Sequence, residues 1–344
     1  MKIVKIVDSN EWDIASHQAL LLASEIQKKK HKVSVICPKG TRLFAECIKN
    51  NITVEELGIS GRFGLVDREN CDIIHFYNTK DFPNFAYKFY SKKYKLVFSH
   101  FDLSEKKKIS KIAKFISRFI APAPTYSENL FECGVPKVKI TTVYPCVRLT
   151  RWESAMRIKS LMFEKTPYQI VTVSFDKTLK EQETFLKAAK LIAGALDKPF
   201  SFVLLGEKNE MIRELARREE ISEKVDILGF RDDLPEVMAL AHIFIKTNVK
   251  PSISLSLIEA QASGVPCVVP RIPGLSDFTV NGKNGILVEP GNPKAYAAAA
   301  LKILKNPDFM LKLSKFSFDF TANNLACEVA RNMLLCVYED ILLV

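Results

Sequence analysis

Residues 250–270 read "KPSISLSLIEAQASGVPCVVP" and follow the apolar run "HIFIKTN" at 242–248. The order is strand, short loop, helix, turn, strand, with Gly264-Val265-Pro266 ending the helix. In an open α/β sheet the loop leaving a strand's carboxyl end is where ligands sit. One carboxylate, Glu259, stands in this helix among Leu257, Ile258, Ala260 and Ala262. So apolar a setting rarely hosts an unpaired carboxylate, which favours ligand contact over a solvated helix glutamate. Ser252, Ser254 and Ser256 lead into the helix, and its first turn, Ser254-Leu255-Ser256, offers free amides and a positive dipole end to a diphosphate. One of those serines serving simply as an N-cap is equally compatible with the pattern.

Outward from this unit the same alternation fills the chain. The first half reads "KIVKIVD", "SHQALLLASEIQKKK", "KVSVIC", "TRLFAECIKNN", "DIIHFYN", "DFPNFAYKFYSKK", "KLVFSH", a basic helix and "FIAPAP". Its β-runs are continuously apolar, as parallel strands buried on both faces are. After "TTVYPCVRL" the pattern loosens to about residue 167, then restarts at "YQIVTVSF". The expected architecture is α/β: two doubly wound, Rossmann-like domains at 1–150 and 151–320 facing each other across a cleft, then an amphipathic helix at 321–344 that can return to the first domain.

The totals fit that plan. The chain has 344 residues, 47% hydrophobic and 26% charged, enough for two cores. Eight cysteines show no metal-ligand spacing and lie mostly in apolar runs, which predicts buried free thiols and a reducing compartment. The amino terminus is too short in apolar residues for a signal peptide, and no run approaches the roughly 20 residues of a membrane span. A cytoplasmic protein is expected. Net charge is +11, unevenly spread: residues 1–150 hold 25 Lys+Arg against 15 Asp+Glu, residues 151–344 hold 25 against 24. A basic first domain points to an anionic partner. Nucleic acid is disfavoured, because no recognised module or stacking motif accompanies the charge.

The strings "LKEQETFLKAAKLI", "FVLLGE", "VDILGFRDDLPEVMALA" and "LIEAQASGVPCVVPRIPGLSDFTVNGKNGILVEPGNPKAYAAAALKIL" resemble the retaining GT-B glycosyltransferases of family 4. The resemblance implies a nucleotide-sugar donor on the second domain and an acceptor hydroxyl on the first; with no metal-ligand cluster visible in the sequence, neither cofactor nor metal is expected. It assigns Glu259 to the ribose diol, which suits an acceptor-only group with two oxygens. It also assigns Lys180 to the charge on the leaving diphosphate, His100 to the donor sugar, and Gly274 to close backbone approach.

Three positions depart from the family pattern. Pro251 stands where a first glutamate is expected, Phe175 where an arginine is, and Asp13-Ile14 where paired glycines shape the acceptor and phosphate loop. Lys177, Lys246, Lys250 and Arg231 are the cations near enough in sequence to replace the missing charge. The departures keep a second reading open, a nucleotide-sugar binder or partner subunit without turnover; a third, an epimerase, rests on the shared two-domain scaffold.

"EKKKISKIAKFISRFI", 105–120, places apolar residues at 109, 112, 113, 116, 119 and 120, a helical face opposite lysines. Such a helix packs on its own sheet or lies on an anionic membrane. With the resemblance, it suggests a glycolipid or cell-surface polysaccharide precursor as acceptor and peripheral association with the membrane's inner face.

Overall fold

A computed structural model of the chain describes residues 1–57, 71–77, 84–153, 167–175, 178–206, 210–231 and 233–343. It divides into two units: Met1–Cys146 with Asn324–Val344, and Val147–Asn323. Much of the expected link, residues 154–166, lies outside the described residues, as does Lys177.

The first unit holds a seven-stranded sheet in the order β3-β2-β1-β4-β5-β6-β7, every pair parallel. The strands are β1 Lys2–Val7, β2 Lys32–Cys37, β3 Thr53–Glu56, β4 Ile73–Tyr77, β5 Lys95–Ser99, β6 Arg118–Ala121 and β7 Ile140–Thr142. β4 is buried along its whole length, and β1 and β2 at all but their first residue, because helices cover the sheet.

The helix Cys327–Leu343 belongs to this unit and packs on the helix Ile14–Gln27. Its buried stripe, Cys327, Ala330, Arg331, Leu334, Val337, Tyr338 and Ile341, has the three- and four-residue spacing of one helical face. Arg331 reaches to 3.7 Å of Glu25, and the Tyr338 hydroxyl lies 2.6 Å from His75 Nδ1. His75 Nε2 meets Ser99 Oγ at 2.8 Å, so burial without a carboxylate keeps this imidazole neutral, far below its usual pKa.

The second unit repeats the plan in six parallel strands, ordered β10-β9-β8-β11-β12-β13. They are β8 Tyr168–Ser174, β9 Phe200–Gly206, β10 Val225–Gly229, β11 Ile243–Ile245, β12 Cys267–Pro270 and β13 Gly285–Val288. Its core joins Ile170, Leu204, Ile243 and Val268 of the sheet to Phe185, Leu186 and Ile303 of the covering helices Lys180–Ala193 and Pro293–Leu304.

Two expectations are corrected. The basic helix spans only Lys106–Ile112, and Arg118–Ala121 is strand β6. Ile109, Ile112, Ile116 and Phe119 are all fully buried, so a short helix and the strand after it mimic one helical stripe. Lys139 Nζ donates to the carbonyls of Ile116 at 2.9 Å and Ala113 at 3.4 Å, where the helix ends. All eight cysteines are free, but Cys336 is exposed on the last helix.

Candidate functional site

In the second sheet the order of strands reverses between β8 and β11. Ligands of open α/β sheets bind outside the carboxyl ends at such a switch point. Lys180 begins the helix after β8; Lys246, Lys250, Ser254 and Glu259 follow β11; Gly274 follows β12. Topology thus brings these six residues, all singled out for the donor side in the sequence, to one end of three neighbouring strands. Arg231 follows β10 at the sheet's edge, two strands from β8, and its guanidinium is paired with Asp233, which raises the arginine's pKa further.

Glu259 lies in the helix Leu255–Ala262 and is 9% exposed. Burial pushes its carboxyl up to about 7, partly offset by the positive charge of Arg151. Among the described residues no hydrogen bond reaches its carboxylate. The same helix is capped by Ser254, whose Oγ accepts from the Leu257 amide at 3.2 Å and lies 3.1 Å from Ser256 Oγ. The amides of Leu255 and Ser256 have no acceptor among the described residues, so the cap coexists with open donors for an anion.

Gly274 has φ +84°, and a Cβ there would lie 2.4 Å from the Ser252 carbonyl oxygen. Its missing side chain therefore lets the β12 loop close on the serine loop ahead of Glu259. The Gly274 amide donates to Asp277 Oδ2 at 2.9 Å.

Lys180 and Lys250 are exposed, as are Phe175 and Pro251 at the departing positions. Lys246 is not a loose cation. It is 7% exposed, donates to the Val173 carbonyl at 2.8 Å and stands 4.0 Å from Glu181. Glu181 also accepts from Ser174 Oγ at 2.8 Å. Burial lowers the Lys246 pKa and Glu181 holds it up. This pair, and Arg151 beside Glu259, escape a reading of the sequence. The one available signal is a charged residue at the end of an apolar strand, as Lys246 is to "HIFI".

In the first unit His100 follows β5 and is fully buried. Its Nε2 lies 3.0 Å from Asn129 Oδ1, its Nδ1 has no partner among the described residues, and its ring meets Tyr126 edge-on at 6.0 Å. Burial lowers its pKa, against opposing contributions from Asn129 and Asp102. Asp13 is the N-cap of the helix beginning at Ile14: its Oδ1 accepts from the Ser16 amide at 2.8 Å and its Oδ2 from Ser9 Oγ at 3.3 Å. At this helix start the chain supplies its own anion.

Among the described residues no cluster of three or more His, Cys, Asp or Glu is placed to hold a metal, and no helix is long and apolar enough to cross a membrane.

Residues 155–319 match the family profile of glycosyl transferases group 1. N-acetyl-alpha-D-glucosaminyl L-malate synthase of Bacillus anthracis is 26% identical over 49% of this chain and 44% of its own length. UDP-Gal:alpha-D-GlcNAc-diphosphoundecaprenol alpha-1,3-galactosyltransferase of Escherichia coli is 22% identical over 59% of this chain and 57% of its own. The chain thus spans about half the length of these curated relatives. The crystal structure of a glycosyltransferase from Rickettsia africae superposes with a TM-score of 0.84 at 18% identity, covering 99% of this chain and 98% of that one. Fold and profile agree on the half that carries Glu259: the chain has the GT-B fold of two Rossmann-like domains, and its second unit matches the profile of glycosyl transferases group 1.

Proposed function

We propose that the chain transfers a sugar, with retention, from a nucleoside-diphosphate sugar to a hydroxyl acceptor. The observation that carries this reading is the carboxyl of Glu259, buried at the switch point with no donor among the described residues. A ribose diol offers two O–H donors to such a group and favours its ionised form. The amides of Leu255 and Ser256 then receive the diphosphate, and Lys180 adds positive charge as the leaving group departs. With retention, the acceptor oxygen attacks on the face the diphosphate leaves. The protein's part is positioning and charge stabilisation rather than a nucleophile. A lipid-linked or polysaccharide acceptor is supported by the basic first unit and by the name of the Escherichia coli relative, whose substrate is a diphosphoundecaprenol. His100, buried against Asn129, enters as support for the strand end.

A second reading, a nucleotide-sugar binder without turnover, is favoured by two features. Phe175 stands exposed where the family's cation is expected, and Lys246 is engaged inward.

Two measurements separate the readings. A panel of nucleoside-diphosphate sugars, screened by thermal shift, identifies a donor if the site is intact. Release of the free nucleoside diphosphate from that donor, abolished in Glu259→Ala and Lys180→Ala, supports transfer. A thermal shift without release supports the binder. No shift with any donor sinks both.

A further inference from the structure

The helix Lys180–Ala193 starts from a strained residue. Its N-cap, Leu179, has φ +62° and makes no side-chain cap. A leucine in the left-handed region is costly, and such a turn persists only where its surroundings over-determine it. The Leu179 side chain packs on the core of the second unit, and its carbonyl accepts from the Glu183 amide at 2.9 Å. Beyond Lys180, Glu181 is tied at three points. Its carboxylate accepts from Ser174 Oγ at 2.8 Å and faces the Lys246 ammonium at 4.0 Å, and its carbonyl accepts from Thr247 Oγ1 at 2.9 Å. Lys246 donates in turn to the Val173 carbonyl at 2.8 Å. Ser174, Glu181, Lys246 and Thr247 are all buried. The end of β8, the exit of β11 and the first turn of the helix are thereby joined, and exposed Lys180 stands between the strained residue and the tied one.

A buried ion pair adds little stability over apolar side chains of like volume, because both charges lose their water. What this pair supplies is a fixed geometry for a helix start. We propose that Lys246 and Glu181 are positioning residues: by holding the left-handed turn at Leu179 they set Lys180 where it meets the donor's diphosphate. This is a different role from that of a substitute cation, since the Lys246 ammonium is directed at Val173 and Glu181. The proposal deepens the transfer reading and rests on it for the ligand; the hold on the turn is measured with no ligand at all.

The test variant combines Lys246→Met with Glu181→Gln. It removes one charge of each sign, so net charge is kept, and the new amide oxygen still accepts from Ser174. In the full chain without ligand, hydrogen exchange at the Glu183 and Thr184 amides speeds up about tenfold, the worth of one such contact, while β9 exchanges as in the parent. Inorganic pyrophosphate, the part common to all nucleoside-diphosphate donors, is then titrated by calorimetry. The pair variant binds it about tenfold more weakly than the parent, and Lys180→Ala weakens it at least as much. The triple variant binds within about twofold of Lys180→Ala. That non-additivity marks an action through Lys180, whereas a merely structural change weakens binding in both backgrounds. Leu179→Gly loosens the same turn without touching a charge, and it shows the same pattern should the pair variant fail to fold. Exchange or affinity equal to the parent's in a folded variant overturns the proposal, and so does a loss that persists in full without Lys180. Absence of pyrophosphate binding by the parent sinks the transfer reading and this role together. Binding that ignores the pair sinks this role alone.

Discussion

Each unit buries an ionisable group at its sheet: an amine in the first, a carboxylate in the second. Lys5, in the middle of β1, is fully buried, donates to the Tyr77 hydroxyl at 3.0 Å, and is lowered by burial to about 7. Glu259 is raised to about 7 by the same cause. The amine has a partner supplied by its own chain, in a core where His75, Ser99 and Tyr338 are also joined. The carboxyl has no donor among the described residues. A buried polar group satisfied by its own chain holds the fold together. One left without a donor at a switch point is where the proposed function puts the donor's ribose.

The two groups also tilt stability in opposite directions with pH. Between about 7 and 10.4 the unfolded chain holds the Lys5 proton and the folded chain does not, so stability rises with pH. In Lys5→Met that slope disappears. At pH 7 the variant escapes a penalty on the order of 4 kcal/mol, less what lost packing takes back. Urea denaturation of parent and variant at pH 7 and 9 is the check, and parallel behaviour of the two breaks the comparison on the first unit's side.

For Glu259 the folded chain keeps its proton from about pH 4.5 up to 7 while the unfolded chain releases it. Stability falls across that window, by up to about 3 kcal/mol. Glu259→Gln flattens the fall and melts higher than the parent at pH 8. The same variant loses about 100-fold in nucleotide-sugar affinity, two charge-assisted hydrogen bonds being weakened. In the parent that affinity rises from pH 6 to 8, because only the ionised carboxyl accepts both hydroxyls. Titration calorimetry across this range sharpens the contrast, and a pH-independent affinity breaks it.

Smaller changes probe how each site is framed. Gly274→Ala places a methyl against the Ser252 carbonyl at a positive φ and costs about 2 kcal/mol or more, read as a lowered melting temperature with weaker donor binding. Asp13→Ala removes the cap of the first unit's opening helix and costs about 1 kcal/mol, read by urea denaturation. A loss within error at Asp13 means that its carboxylate is not needed to cap the helix.

The sheets were legible wherever strands are continuously apolar, as in "KIVKIV" and "YQIVTVS". β3, "TVEE", was not, since an edge strand with two carboxylates carries neither alternation nor an apolar run. The basic segment is shorter than its spacing suggests because Ile116 and Phe119 continue a helical spacing by coincidence while belonging to a loop and a strand. Glu259 was legible from its apolar neighbours. Its approach to Arg151 was not, because more than a hundred residues of chain, about 108 by number, separate them and no local pattern reports on long-range pairs. The inward commitment of Lys246 was likewise hidden, since a lysine after a strand reads the same whether its amine faces water or Val173.

The last helix, Cys327–Leu343, covers the first unit although all of the second is made before it. On the ribosome, the domain begun first is therefore completed last. Until the helix Cys327–Leu343 emerges, Leu20, Leu21 and the rest of the helix Ile14–Gln27 lack that cover and stay open to proteases or chaperones. Nascent chains arrested before and after that point should differ sharply in protease resistance there.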